Sequence, residues 1–243
     1  MAFFVEGKPA RQPILRAPGS VIGLIGVLII AHVARVLAPP AVSERILNDY
    51  ALVPARYAIQ TASSAHSAGS SFSEQLVGLF SHMFLHANTM HIAVNCVWLL
   101  AFGPVVARRF GGIAFIIFFA LCGLAGALFY VALNWGDTIG VIGASGAISG
   151  LMGAAIRMMR LRQPQLDAAH LPLVPILSSQ VLGFSAVWLA VNLLTGILGF
   201  AATGQIEPIA WQDHMGGYLA GLLLVGVFDR LFRPSERHLR QGA

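Results

Sequence analysis

Six stretches of about 20 apolar residues, each bounded by charge, proline or polar clusters, constrain what this chain can fold into. A bilayer core about 30 Å thick needs roughly 20 apolar residues for one helical crossing. The chain is 57% hydrophobic and only 10% charged over 243 residues, a balance typical of membrane proteins. We therefore predict an all-α integral membrane protein with six transmembrane helices, placed approximately at residues 19–38, 88–107, 113–134, 139–158, 174–200 and 211–232.

The distribution of lysine and arginine predicts how this bundle is oriented. With the N-terminus in the cytoplasm, twelve of these 15 residues fall in cytoplasmic segments and three fall outside. This positive-inside bias predicts that both termini are cytoplasmic. It also accounts for the formal charge of +5, so no nucleic-acid partner is expected. A membrane domain at 19–232, with a long outer loop at 39–87, is then flanked by basic cytoplasmic tails at 1–18 and 233–243.

The end of the long outer loop is apolar and carries His82 and His86. In one continuous helix these histidines would face nearly opposite to His91 and Asn95, so a single helix could not direct all four toward one site. Asn88 is a suitable N-cap residue. We therefore expect the second span to begin at Asn88 and to leave the first two histidines in the loop.

Potentially reactive side chains occur near the outer ends of the three spans that run inward. His91 and Asn95 lie in the first two turns of the second span, and His214 lies in the first turn of the sixth. Ser145 falls in the second turn of the predicted fourth span, on the order of 10 Å below the outer loop at about 1.5 Å per residue. Three helices thus bring a serine, two histidines and an asparagine to one depth.

These side chains suit acyl transfer. The imidazole of His214 could take the proton of the Ser145 hydroxyl and later protonate a leaving amine. The oxyanion that forms could accept hydrogen bonds from His91, Asn95 and the backbone N–H of Ser145. His91 and Asn95 are four residues apart, so they face the same side of a helix.

Each of these features has a structural explanation when it is taken alone. Residues 143–150 read Gly-Ala-Ser-Gly-Ala-Ile-Ser-Gly, a small-residue stripe that also suits close helix packing. His214 could be a buried histidine bound to a carbonyl, and Asn95 could link two helices. Ser149 competes with Ser145 as nucleophile, but it lies one turn deeper and has no glycine two positions before it. The shared depth of the polar residues favours Ser145.

Two neighbouring features are not expected to take part in the chemistry. Asp213 adjoins His214 and therefore points about 100° away from it on a helix, which favours a dyad over a triad. A helix N-terminus explains a carboxylate at that position. His82 and His86 have a metal-like spacing, but no acidic residue adjoins them, so no metal site is predicted.

Three motifs, in this order, resemble those of the rhomboid family of intramembrane serine proteases. They are His86-x-x-x-x-His91-x-x-x-Asn95, Gly143-Ala-Ser145-Gly146 and His214-Met-Gly216-Gly217-x-x-x-Gly221. The resemblance covers about residues 19–232 and implies a six-helix rhomboid-like bundle. It also implies a Ser-His dyad, substrates that are transmembrane helices cut near their outer ends, and no cofactor.

Residue by residue, the resemblance implies the roles reached above: Ser145 as nucleophile, His214 as base, and His91 with Asn95 at the oxyanion hole. We also expect His86, Gly143 and Gly146 to support the site. Many family members carry an aromatic residue four positions after the nucleophile, against which the catalytic histidine packs. Here that residue is Ser149. The outer loop also lacks the Trp-Arg pair that is common in the family.

We expect an intramembrane serine protease in a bacterial inner membrane, with its site open to the periplasmic side and transmembrane proteins as substrates. No cofactor, metal or nucleic acid is expected. The alternative is a catalytically silent rhomboid-like protein that binds membrane clients, although such a protein would be expected to lose the serine or the base. A small transporter or metal-binding membrane protein would need partners for its polar groups that the sequence does not supply.

Overall fold

The computed structural model describes residues 17–58, 72–159, 171–198 and 210–232. Over these ranges the α-helices are α1 (Gly19–Leu37), α2 (Pro40–Tyr50), α3 (Phe72–Ser81), α4 (Thr89–Phe110), α5 (Gly112–Leu133), α6 (Ser145–Met158), α7 (Ser179–Leu198) and α8 (Trp211–Phe232). One-turn 3₁₀ helices occupy Pro54–Arg56 and His82–Phe84. Within the described ranges, five helices are long and apolar enough to cross a bilayer: α1, α4, α5, α7 and α8. The chain is therefore an integral membrane protein, as predicted.

The start of α4 agrees with the prediction. Asn88 is its N-cap, and the Asn88 side-chain oxygen accepts the backbone N–H of His91 at 2.9 Å. His82 lies in the preceding 3₁₀ turn and His86 lies in the loop between the two elements. The predicted basic tails lie outside the described residues, except for positions 17 and 18.

The fourth predicted helix begins too early. Its first residues, 139–144, are not helical, because Leu52 and Val141 form an antiparallel bridge with backbone hydrogen bonds of 3.0 and 2.9 Å. Helix α6 begins at Ser145 and has 14 residues, which corresponds to a length of about 21 Å. This helix is shorter than a bilayer core of about 30 Å. Six crossings of the bilayer therefore stay a prediction.

The fifth predicted helix also begins later than expected, at Ser179 instead of residue 174. The backbone of Val174 is bound to Arg157 at the end of α6: its N–H donates to the Arg157 carbonyl at 2.7 Å, and its carbonyl accepts the Arg157 side chain at 3.1 Å. Pro175 follows and has no N–H to offer to a helix. These bonds tie the segment to α6, so helix α7 starts only after Ser178.

Helices α6 and α8 run parallel and touch through glycines. A Cβ atom placed on Gly217 would overlap the carbonyl of Gly146, and one placed on Gly221 would overlap the carbonyl of Gly150. Small residues allow this close backbone approach between membrane helices. Because the contacts advance in the same direction along both helices, the N-terminal ends of α6 and α8 come to the same end of the bundle.

Helix α5 packs antiparallel against this pair. Cys122 of α5 lies against Gly150, while Gly126 lies near the N-terminal ends of α6 and α8. At the opposite end of the bundle, the rings of Phe110, Phe118 and Phe228 pack together with centroid separations of 4.9 to 5.7 Å. Helix α6 is thereby buried along most of its length.

Helices α1 and α7 lie at the periphery of the bundle. Helix α1 packs on α4, where Val21 lies against Gly103, and its outermost face is exposed. Helix α7 contacts α8 along one narrow stripe, and large apolar side chains on its other faces are more than half exposed, including Val187, Val191 and Leu194. In a membrane protein such faces contact lipid.

Candidate active site

Ser145 is the first residue of α6, where a sharp turn leads into the helix. The turn depends on Gly143, which has φ +129°, a conformation that side chains disfavour. A Cβ atom at Gly143 would also lie 2.8 Å from His91 Nε2 and 3.5 Å from Ser145 Oγ. The prediction that Ser145 lies in the second turn of its helix is wrong, because residues 139–144 are bridged to another segment. At the N-terminus, the first backbone N–H groups of α6 have no partner within the helix.

The Ser145 hydroxyl lies 2.7 Å from His214 Nε2. His214 is in the first turn of α8, as the sequence predicted. The parallel packing of α6 and α8 explains this contact, because both residues belong to N-terminal turns that meet at one end of the bundle. The structure therefore brings the predicted serine and histidine within hydrogen-bonding distance.

The second nitrogen of His214 has a partner that sequence reasoning missed. His214 Nδ1 lies 2.8 Å from the side-chain oxygen of Asn192 on α7, and the Asn192 amide nitrogen donates to the Trp211 carbonyl at 3.0 Å. With Nδ1 as the donor to Asn192, neutral His214 has a lone pair on Nε2. The histidine can then accept the hydroxyl proton of Ser145. A lone asparagine in an apolar stretch gave no signal that pointed to His214.

His91 is held next to the serine by the loop before α4. Its Nδ1 accepts the backbone N–H of Ala87 at 3.3 Å, so in the neutral ring Nε2 carries the proton and faces Gly143. Asn95 is 3% exposed and lies one turn further along α4, where its amide donates to the His91 carbonyl at 2.9 Å. The structure thus places His91 beside Ser145 and places Asn95 directly behind it on the same helix.

His86 is fully buried beneath His91. The two rings pack edge to face at 5.1 Å, and the ring of His32 on α1 lies 6.4 Å from His86 on another side. Burial, followed by the charges that His91 and His32 would carry, lowers the pKa of His86 to about 3. The ring is therefore neutral at pH 7. Nothing in the sequence indicated that His32 lies next to His86 and His91.

The loop that carries His86 is fixed at both ends by buried polar contacts. Arg35 of α1 donates to the carbonyls of His86 and Ala87 at 2.8 and 3.2 Å. The carbonyl of His82 accepts the N–H of Gly143 at 2.9 Å. These contacts join the segment before α4 to the segment before α6, so His91 and Ser145 are positioned by one connected loop system.

Comparison with known proteins identifies the family. Residues 73–230, more than half of the chain, match the family model described as Rhomboid domain. The chain belongs to the rhomboid family. It is 29% identical to RHOMBOID-like protein 1 of Arabidopsis thaliana over 166 residues, which cover 67% of this chain and 36% of that protein.

Two bacterial relatives have names that describe proteases. The rhomboid chain is 25% identical to Putative rhomboid protease YdcA of Bacillus subtilis (strain 168) over 154 residues, which cover 63% of this chain and 70% of that protein. It is 36% identical to Rhomboid protease AarA of Providencia stuartii over 88 residues, which cover 30% of this chain and 31% of that protein. The chain thus spans about a third of the length of the Arabidopsis thaliana and Providencia stuartii proteins.

Ser149, which stands where an aromatic residue was expected from the family resemblance, is buried in the structure. Ser149 is 5% exposed and lies one turn beyond Ser145 on α6. On its Nδ1 side the His214 ring lies 2.8 Å from the side-chain oxygen of Asn192 on α7. The partner that the structure gives His214 Nδ1 is therefore a polar side chain from a neighbouring helix.

Asp213 is buried near the serine but does not contact the ring nitrogens of His214, which have other partners. It is 1% exposed, and its carboxyl group lies against Gly126 and Gly146, close to the N-terminus of α6. A Cβ atom at Gly146 would overlap this carboxyl group. In the described part of the chain, no three His, Cys, Asp or Glu side chains are grouped to hold a metal ion.

Proposed function

We propose that this rhomboid is an intramembrane serine protease that hydrolyses peptide bonds in or near transmembrane segments of other membrane proteins. The observation that carries the proposal is the 2.7 Å contact between Ser145 Oγ and His214 Nε2. A serine hydroxyl is a weak nucleophile until a base at this distance takes its proton. The protease names of two bacterial relatives agree with this assignment.

In the proposed reaction, Ser145 Oγ attacks the substrate carbonyl carbon while its proton moves to His214 Nε2. The tetrahedral intermediate collapses when the C–N bond breaks and His214 protonates the leaving amine. Water then attacks the acyl-enzyme ester and gives a proton to His214. Collapse of the second intermediate returns that proton to Ser145 and releases the new carboxyl group. Each proton transfer uses only these two side chains, water and the substrate.

The oxyanion in both intermediates would be stabilised at the N-terminus of α6. The backbone N–H of Ser145 and the Nε2–H of His91 are the proposed donors, with Asn95 as the third. In this position the donors act where charge develops, away from bulk water. We propose supporting roles for His86, which packs on the His91 ring, and for Gly143 and Gly146, whose lack of a side chain leaves room for His91 and Asp213.

Replacing His91 with alanine is expected to lower kcat by about 10²- to 10³-fold with little change in KM, because an oxyanion donor acts mainly in the transition state. The measurement is steady-state cleavage of a transmembrane substrate in detergent. Met90→Ala is a matched control in the same turn, since Met90 is 52% exposed. A rise in KM with unchanged kcat in His91→Ala would argue against the oxyanion role.

A transmembrane substrate hides its peptide bonds in helical hydrogen bonds, so it must unwind locally to reach Ser145. Small or helix-breaking residues lower the cost of this unwinding. We infer from the charge distribution that the site opens to the outer side and that both termini are cytoplasmic. The inner membrane of a bacterium is the proposed location.

Reconstitution tests the proposed function. In proteoliposomes, the wild-type chain is expected to cut a single-span membrane substrate in or near its transmembrane segment, and mass spectrometry of both products locates the bond. The Ser145→Ala variant is expected to give no products. A wild-type chain that binds such substrates without cutting them would instead favour a catalytically silent, client-binding rhomboid-like protein.

A further inference from the structure

We propose that Asn192 is a positioning residue that sets the protonation pattern of His214, and that contact between α7 and α8 therefore makes the base competent. This inference rests on the proposed protease function. It concerns a residue on α7 that lies far from Ser145 and His214 in sequence. The side chain is 6% exposed, so its hydrogen bonds are shielded from water.

Both ends of the Asn192 amide have partners on the first turn of α8. The oxygen faces His214 Nδ1 at 2.8 Å and the nitrogen donates to the Trp211 carbonyl at 3.0 Å. A flipped amide would set oxygen against the Trp211 carbonyl oxygen, with no hydrogen between them. It would also require Nδ1 of His214 to accept, which would leave the proton on Nε2. The arrangement with every group satisfied is the one in which His214 can accept from Ser145.

Asn192 also differs in kind from a catalytic carboxylate. Its oxygen accepts Nδ1–H when His214 is neutral and continues to accept it when the ring is protonated during the reaction. An asparagine holds the histidine in this way in the Cys-His-Asn arrangement of other proteases. The contribution we expect is therefore orientation and choice of tautomer, without a full countercharge.

The contact with His214 belongs to a stripe along α7. Ser185, Trp188, Asn192 and Gly196 lie three or four residues apart, so they share one face of the helix. The hydroxyl of Ser185 lies 2.7 Å from that of Tyr218, the ring of Trp188 stacks on Tyr218 at 4.1 Å, and Gly196 lies against Trp211. Displacement of α7 from α8 would break this stripe and the bond to His214 together.

Two variants separate the contact with His214 from the contact with Trp211. Asn192→Asp keeps an acceptor for Nδ1–H but cannot donate to the Trp211 carbonyl, whereas Asn192→Leu loses both. We expect Asn192→Leu to lower kcat by about 10- to 100-fold with little change in KM, and Asn192→Asp to recover most of that loss. Ser185→Ala is the structural control, because it removes another polar contact between α7 and α8 without touching His214.

A direct reading of the tautomer completes the test. In ¹⁵N NMR spectra of the labelled protein, the neutral His214 ring is expected to be protonated on Nδ1 in the wild type and in Asn192→Asp, and to lose this preference in Asn192→Leu. The inference fails if the tautomer is the same in all three, or if Ser185→Ala lowers kcat as much as Asn192→Leu. An inactive wild type with the expected tautomers would refute the protease proposal and leave the positioning by Asn192 supported.

Discussion

Replacing Ser145 with alanine is expected to lower kcat by about 10⁴- to 10⁶-fold, while Ser149→Ala keeps most of the wild-type activity. Ser145 has its hydroxyl 2.7 Å from His214 Nε2 at the start of α6. Ser149 is one turn further into the bundle and is 5% exposed, so a substrate carbonyl has no comparable access to it. Each variant removes one serine hydroxyl from α6, so the two variants differ only in the position of the serine that is replaced.

Covalent labelling provides the measurement, because a fluorophosphonate probe reacts with an activated serine. We expect the wild type and Ser149→Ala to be labelled, Ser145→Ala to be unlabelled, and His214→Ala to be labelled far more slowly. Thermal unfolding in detergent shows whether each variant is folded. Labelling that persists in Ser145→Ala and disappears in Ser149→Ala would assign the nucleophile to the deeper serine.

The helices that carry Ser145 and His214, and the end of the bundle where these helices meet, could be predicted from local rules, although the turn that holds Ser145 could not. The apolar stretches located α4 and α8 closely, and Asn88 marked where α4 begins through its capping bond to His91. The glycines of α6 and α8 predicted close packing, which the structure shows as contacts of Gly217 and Gly221 with the carbonyls of α6. Helix starts and small-residue contacts together carry the serine and the histidine to one end of the bundle.

The parts that could not be predicted depend on contacts between distant segments. Residues 139–144 are apolar enough to extend α6, but their backbone pairs with Leu52, and hydropathy does not distinguish an extended apolar segment from a helical one. The partner of His214 comes from α7, and the packing of His32 on His86 spans α1 and the loop before α4. A single sequence indicates that two distant residues are in contact only when both belong to a recognisable motif.

The prediction that Asp213 is not part of a triad rested on its angle to His214, and the contacts of the His214 ring bear on the same question. Asn192 occupies the Nδ1 side of the ring, where the acid of a triad would lie. The Asp213 carboxyl group belongs to the first turn of α8, but it lies against Gly146 at the N-terminus of α6.

Replacing Gly221 with alanine is expected to destabilise the protein by about 1–3 kcal/mol and to lower activity by about 10²-fold. The added methyl group would overlap the Gly150 carbonyl, so α6 and α8 must move apart. Ser145 and His214 are carried by these two helices, and a displacement of about 1 Å is enough to disrupt the contact between them. Thermal unfolding and probe labelling measure the two effects.

Gly226→Ala is the matched control for this effect, since it makes the same substitution in the same helix at a position where no other described helix has an atom within 4 Å of the added group. We expect this variant to be as stable as the wild type or slightly more stable, because alanine is the better helix former. Gly221 lies about two turns from His214, so a selective loss of activity in Gly221→Ala would report on helix separation instead of on contact with substrate. If both alanine variants unfold and react alike, the close approach of α6 and α8 is not what holds the serine against the histidine.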